Sequence, residues 1–239
     1  LPSPDNWLSA AVAAAQEAGW DIQLITGDAE SFHHQVPAPP GSPAARSIWV
    51  FSPARPTMVL GSSQPAEAVD HAACERAGVD IVRRRSGGGA VLVIPDEMIW
   101  VDVVIPRRDP HWDDDVGRAM HWIGEAWRQA IDPRALRVHD GRLVTQALAA
   151  QVCFAGRGPG EVILESSPTT KVVGISQRRT AGWARFQTMV HRRWQPVLMA
   201  DLLTERPDER QLADAVGVVE RPEPDLLAAL VRHLTAPPT

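Results

Sequence analysis

The 239-residue chain has no tyrosine, only two cysteines and, among 24 basic residues, a single lysine, Lys171. Cys74 and Cys153 stand far apart without a CxxC spacing, so a cysteine-built zinc site lacks its ligands. Two free thiols in a reducing compartment are the expected state. No apolar run approaches the ~18 residues that a membrane-spanning helix needs. Leu1–Gly19 contains Asp5 and Glu17 but no basic residue, unlike the charged start of a secretory leader. A cytoplasmic protein without membrane contact is expected. Net charge is −5, which leaves no basic excess to drive nucleic-acid binding by phosphate neutralisation.

What is present is 44% hydrophobic, enough for the core of one domain over 1–239, with 196–239 as a short helical C-terminal extension. The other 23 basic residues are arginines. Such a bias ordinarily follows genome composition. The surviving lysine is then either a chance survivor or a position where a planar guanidinium cannot replace a compact ammonium.

Residues 5–18 read as an alanine-rich helix, with Asp5 as N-cap and Gly19 as stop. The Pro-, Ala- and Gly-rich segment 33–46 reads as a loop. SIWVF (47–51) and TMVLG (57–61) read as paired strands around the turn 52–56. A helix over 66–77 and a strand over 79–82 follow. AVLVI (90–94) and MIWVDVVI (98–105) read as strands joined by the turn 95–97. Apolar residues at helical spacing predict a helix over 112–131. Further strands are predicted at 135–139, 160–165, 171–176 and 184–191, and helices at 197–204, 208–216 and 223–234. Short strands in adjacent pairs, with helices between and after them, indicate an α+β fold rather than a parallel βαβ array.

Three segments carry chemistry. In Val82-Arg83-Arg84-Arg85-Ser86-Gly87-Gly88-Gly89-Ala90-Val91, consecutive glycines let the backbone approach a ligand, and their N–H groups can form a nest for an anion. The arginines and Ser86 add donors for a carboxylate or phosphate. In Lys171-Val172-Val173-Gly174-Ile175-Ser176-Gln177-Arg178-Arg179, the lysine opens an apolar strand. From there its ammonium can reach into a pocket and stabilise developing negative charge, or it is a solvated strand-end lysine. Cys153, in Gln151-Val152-Cys153-Phe154, is either a nucleophile or a small buried hydrophobe.

In order and spacing, TMVLGSSQ (57–64), RRRSGGGAV (83–91) and KVVGISQRR (171–179) resemble the lipoate–protein ligase A and octanoyltransferase family. Its motifs run lGxxQ, RRxSGGGAV and GKKIxGSAQ. The resemblance covers roughly 5–204 and implies a mixed, mainly antiparallel sheet packed with helices, in a catalytic domain shared with biotin ligases. By resemblance, Arg84, Ser86, Gly87, Gly88 and Gly89 would line the acyl site. Lys171 would bind carbonyl and phosphate oxygens, Gln64 would stand at the pocket edge, and Gly174 and Ser176 would flank the lysine strand.

Three activities stay open under that resemblance. A ligase would use ATP, with or without magnesium, to join lipoate or octanoate through an acyl-adenylate to a lipoyl-domain or glycine-cleavage-type acceptor. An octanoyltransferase would need no cofactor and would carry the acyl group from acyl carrier protein as a Cys153 thioester. A non-catalytic paralogue would bind acyl ligands without transfer. The chain also departs from the family. Leu92-Val93-Ile94 replaces a histidine-containing stretch after GGGAV, and Phe186-Gln187-Thr188-Met189-Val190-His191 stands where an HHG element is usual. His191 itself reads as a surface residue beside Arg192 and Arg193. The segment after Pro196 is shorter than the accessory domain of full ligases, so an accessory part is expected either as a separate chain or not at all.

Overall fold

The computed structural model describes residues 4–39 and 42–237. Helix α1 (Pro4–Glu17) starts one residue ahead of Asp5, the predicted cap, and ends before Gly19, whose φ of +78° is left-handed. There follow β1 (Asp21–Gly27), α2 (Ala29–His34), β2 (Ser47–Pro53), β3 (Thr57–Leu60), α3 (His71–Arg76), β4 (Asp80–Arg83), β5 (Val91–Val93) and β6 (Met98–Pro106). The second half contains α4 (His121–Ile131), β7 (Leu136–Val138), α5 (Ala147–Gln151), β8 (Val162–Leu164), β9 (Lys171–Arg179) and β10 (Trp183–His191). Three helices, α6 (Pro196–Asp201), α7 (Glu209–Ala215) and α8 (Glu223–Thr235), complete it.

Seven strands form one sheet in the order β1-β2-β6-β10-β9-β8-β7, in which only the β1–β2 pair is parallel. The other three form a small sheet, β4-β3-β5. The architecture is the α+β, mainly antiparallel one that the sequence predicts, but the local pairing differs. The segments 47–51 and 57–61 do not pair. β2 lies between β1 and β6, whereas β3 joins β4 and β5 in the small sheet. β5 and β6, predicted as neighbours around a turn, likewise enter different sheets.

Helix boundaries move where aspartates cap backbone N–H groups locally. Asp70 accepts from Ala73 N and starts α3 there, so the predicted helix 66–77 is broken. Asp113 and Asp115 accept from the backbone nitrogens of Asp115 and Arg118, which turns 112–117 into loop and delays α4. α2 occupies the start of the predicted loop 33–46; Asp28 caps it by accepting from Ser31 N.

β6 explains the layering. Met98–Ile105 is buried throughout, and successive side chains point to opposite faces of the sheet. Ile99, Val101, Val103 and Ile105 pack with Ala15, Trp127 and Leu230 under α1, α4 and α8. On the other face, Met98, Trp100 and Val104 pack with Val59 and Val93 of the small sheet and with Phe154. Among the described residues, no helix is long and apolar enough to cross a membrane.

Candidate active site

Between the two sheets lies a cavity of about 520 Å³, measured out to its open mouth. Val59, Val91, Val93, Trp100, Phe154 and Met189 give it an apolar wall. His33, Glu161, Ser176 and Gln187 interrupt that wall, and Arg84, Gly87, Cys153 and Gly174 also line it.

The glycine loop joins β4 to β5 and crosses the end of β3. Its close packing dictates its composition. A Cβ on Gly61 would fall 1.9 Å from the Gly88 carbonyl oxygen, and one on Gly89 only 2.5 Å from Val152 N. No side chain fits at either point without moving backbone. Gly88 adds a φ of +96°, and a Cβ there would meet Cys153 Sγ at 3.5 Å. The loop's Gly87–Gly88 stretch is exposed, with the cavity behind it.

The three arginines have separate tasks. Arg83 donates to the carbonyls of Gly61 and Gln64 and braces that turn. Arg84 is buried, and its donors go to Val59 O, Gly87 O, Gly89 O and Ser86 Oγ, so it shapes the loop from within. Arg85 alone is exposed. It lies near Arg178, whose pKa is lowered by burial and by the neighbouring Arg85 and Arg185. Arg178 Nη1 is buried with no hydrogen-bond partner. These two guanidiniums are the cations available to an anion at this end.

Lys171 is 1% exposed. Its Nζ donates to Cys153 O at 2.8 Å and to Glu161 at 2.9 Å, and lies 5.3 Å from the centre of the Phe154 ring. Glu161 in turn accepts from Ile175 N and Gly158 N. Both Glu161 oxygens lie 2.9 Å from Nζ, so with the Cys153 carbonyl the ammonium has three acceptors around it. The solvated strand-end alternative is thereby set aside. Glu161, absent from the sequence reading, had one signal: a lone lysine that is buried needs an acid partner.

Of the other predicted residues, Gly87, Gly174, Ser176, Arg84 and Cys153 line the cavity. Gln64 is buried beside it, its Oε1 accepting from Gly61 N and its Nε2 donating to Ala150 O and Gln151 O, so it ties two loops together. Ser86 packs on Arg84, and Gly89 on Val152. His33 and Gln187 were not anticipated as site residues. His33 comes from α2, where sequence patterning gave only loop. Among the described residues no group of three or more His, Cys, Asp or Glu is placed to hold a metal ion.

His191 is no surface residue: it is 3% exposed, its ring between Phe154 and Trp194. Burial lowers its pKa from 6.5 to about 4. The unfolded chain therefore binds this proton first on acidification. The stability that the neutral ring contributes is complete above about pH 6.5 and lost toward pH 4, by roughly 3 kcal/mol. Stability measured by denaturant titration is expected to fall more steeply over that range in the native protein than in His191→Phe. Parallel pH profiles would refute the assignment.

A family model described as the lipoyl protein ligase A/B catalytic domain matches residues 41–222. No curated protein sequence matches the chain. Among solved structures, a T. acidophilum lipoate protein ligase with bound lipoic acid superposes with a TM-score of 0.68 at 15% identity, covering 90% of this chain and 84% of that one. The bipartite T. acidophilum ligase studied with its E2 lipoyl domain gives a TM-score of 0.66 at 16% identity, with 90% and 81% coverage. A lipoate-protein ligase A bound with ATP gives 0.66 at 16%, with 90% and 84%. At such identities the likeness is one of fold.

Proposed function

Because the chain belongs to the lipoyl protein ligase A/B catalytic-domain family, an enzyme family, we propose that it is an ATP-dependent lipoate–protein ligase. It would carry a lipoyl or octanoyl group to a lysine of a lipoyl-domain or glycine-cleavage-type acceptor. The observation that carries this reading is an apolar cavity whose wall residues Cys153 and Glu161 hold one buried ammonium, that of Lys171, directly behind them.

ATP would supply the activation, joining AMP to the acid's carboxylate and releasing pyrophosphate, with magnesium as counter-ion. The chain's own residues would do the rest. Lys171 would turn one N–H from Glu161 to the acyl carbonyl oxygen, Gly87 and Gly88 would let the phosphate approach the backbone, and Arg85 with Arg178 would balance its charge. The apolar wall would keep water from the activated acyl group until the acceptor amine attacks the carbonyl and AMP leaves. The solved relatives with lipoic acid, with ATP and with an E2 lipoyl domain support the same substrates.

A second reading rests on Cys153, which lines the same cavity while its carbonyl holds Lys171. In this octanoyltransferase its thiolate would attack the thioester of acyl carrier protein and release the carrier thiol. The acceptor lysine would then take the acyl group and free Cys153.

Intact-protein mass separates the two. Lipoate, ATP and acceptor domain are expected to give a lipoylated acceptor with native protein and with Cys153→Ala alike. An octanoyl adduct formed from octanoyl–acyl carrier protein, lost in hydroxylamine and absent in Cys153→Ala, would instead establish the transferase. Silence in both arms would refute catalysis and leave an acyl-binding paralogue.

A further inference from the structure

One polar group in the cavity has no task in either mechanism. His33 projects from α2 against Trp100, ring centres 4.6 Å apart, and lines the cavity. A chain of hydrogen bonds fixes which ring nitrogen holds its proton. Burial raises the pKa of Asp102, but the Arg185 guanidinium paired with it opposes that shift and favours the carboxylate, which only accepts. It accepts from Trp100 Nε1 and Arg185 Nε, and Gln187 stands opposite it on β10 with its NH2 toward α2. That NH2 lies 3.3 Å from His33 Nδ1, which must therefore accept. The proton sits on Nε2, which has no partner among the described residues. Burial, with Arg84 and Arg185 nearby, lowers the pKa of His33 to about 3, so the ring is neutral at physiological pH.

The register gives its distance from the reacting end. Phe154, beside Lys171, sits over Gly174, and Gly174, Met189 and Trp100 stand opposite one another on β9, β10 and β6. From Phe154 to His33 the wall thus crosses two strand spacings, about 10 Å, which is the reach of a medium acyl chain.

We propose that His33 is a specificity-determining residue that donates its Nε2–H to an acceptor atom in the distal half of the acyl chain. The site would thereby select acyl groups carrying an oxo, hydroxyl or ring-sulfur function over the unsubstituted chain. This rests on the ligase reading of the cavity. An unmet N–H in an apolar wall penalises a plain alkyl chain, and a matched acceptor relieves that penalty.

The test is kcat/KM with ATP and acceptor domain for octanoate, lipoate and 6-oxo-octanoate, in native protein, His33→Leu and His33→Gln. The native protein is expected to favour the oxo acid over octanoate by about tenfold, mainly through KM. His33→Leu should erase that preference, and His33→Gln, which keeps a donor, should restore part of it. An unchanged ratio in His33→Leu would overturn the inference alone. Should His33→Leu fail to fold, a native protein that shows no preference for the oxo acid overturns it equally. Turnover of none of the acids by the native protein would overturn the ligase reading as well.

Discussion

Lys171→Met is expected to reduce acyl transfer by about 10²- to 10³-fold, the usual cost of losing a preorganised electrostatic donor. It should also destabilise the fold by about 3–5 kcal/mol. The two losses have different origins and can be separated. The stability loss comes from Glu161, whose carboxylate would stay buried with only Ile175 N and Gly158 N as donors. Adding Glu161→Gln removes the orphaned charge, so the double variant should regain most of the stability while its transfer stays at the level of the single one. Thermal unfolding read beside single-turnover transfer checks both. A double variant that recovers transfer would show that Lys171 serves only to neutralise Glu161, and the proposed contact with the acyl carbonyl would fall.

The same pair marks how far a sequence can be read. Lys171 and the glycine loop were legible because each is a local anomaly: the only lysine of the chain, and a triplet of glycines behind three arginines. Glu161 was not, because nothing within ten residues of an ordinary glutamate reveals that a strand will carry it to a buried ammonium. The arginine triplet shows the converse. As a motif it reads as three donors for an anion, yet two of them hold backbone carbonyls. Only the closeness of Gly61 to Gly88 explains why the loop needs such bracing.

Long-range pairing was the other hidden quantity. The strands themselves were visible from apolar residues, since β6 and β10 are buried on both faces and β6 reads as a nearly continuous hydrophobic segment. Their partners were not. Proximity in sequence favoured pairing 47–51 with 57–61, whereas burial of both faces of β6 requires the small sheet to separate and cover the side away from the helices. That separation opens the cavity. β1 and α2 escaped notice for a different reason. β1 is an edge strand whose residues are all exposed or only partly buried, and α2 is a six-residue helix started by one aspartate. α2 nonetheless delivers His33 to the site.

Asp102→Ala should then be among the most damaging single changes in the molecule, although Asp102 touches no proposed substrate. The carboxylate is fully buried between Trp100 Nε1 and Arg185. Arg185 reaches past it to the carbonyls of Phe32 and Gln35, and so fastens the end of α2 to the sheet. Removing the carboxylate leaves a guanidinium buried and uncompensated, at a cost of about 3–5 kcal/mol. For a chain of this size that lowers the melting temperature by on the order of 10 °C. Replacing the pair together, as Asp102→Leu with Arg185→Met, removes the stranded charge and should restore much of that loss. It cannot restore the two hydrogen bonds to α2, so His33 and the acyl wall would remain loosely held. The double variant is therefore expected to melt near the native protein yet bind the acid more weakly. A melting temperature unchanged in Asp102→Ala would mean that Arg185 finds other acceptors, and the anchoring of α2 would have to be traced elsewhere.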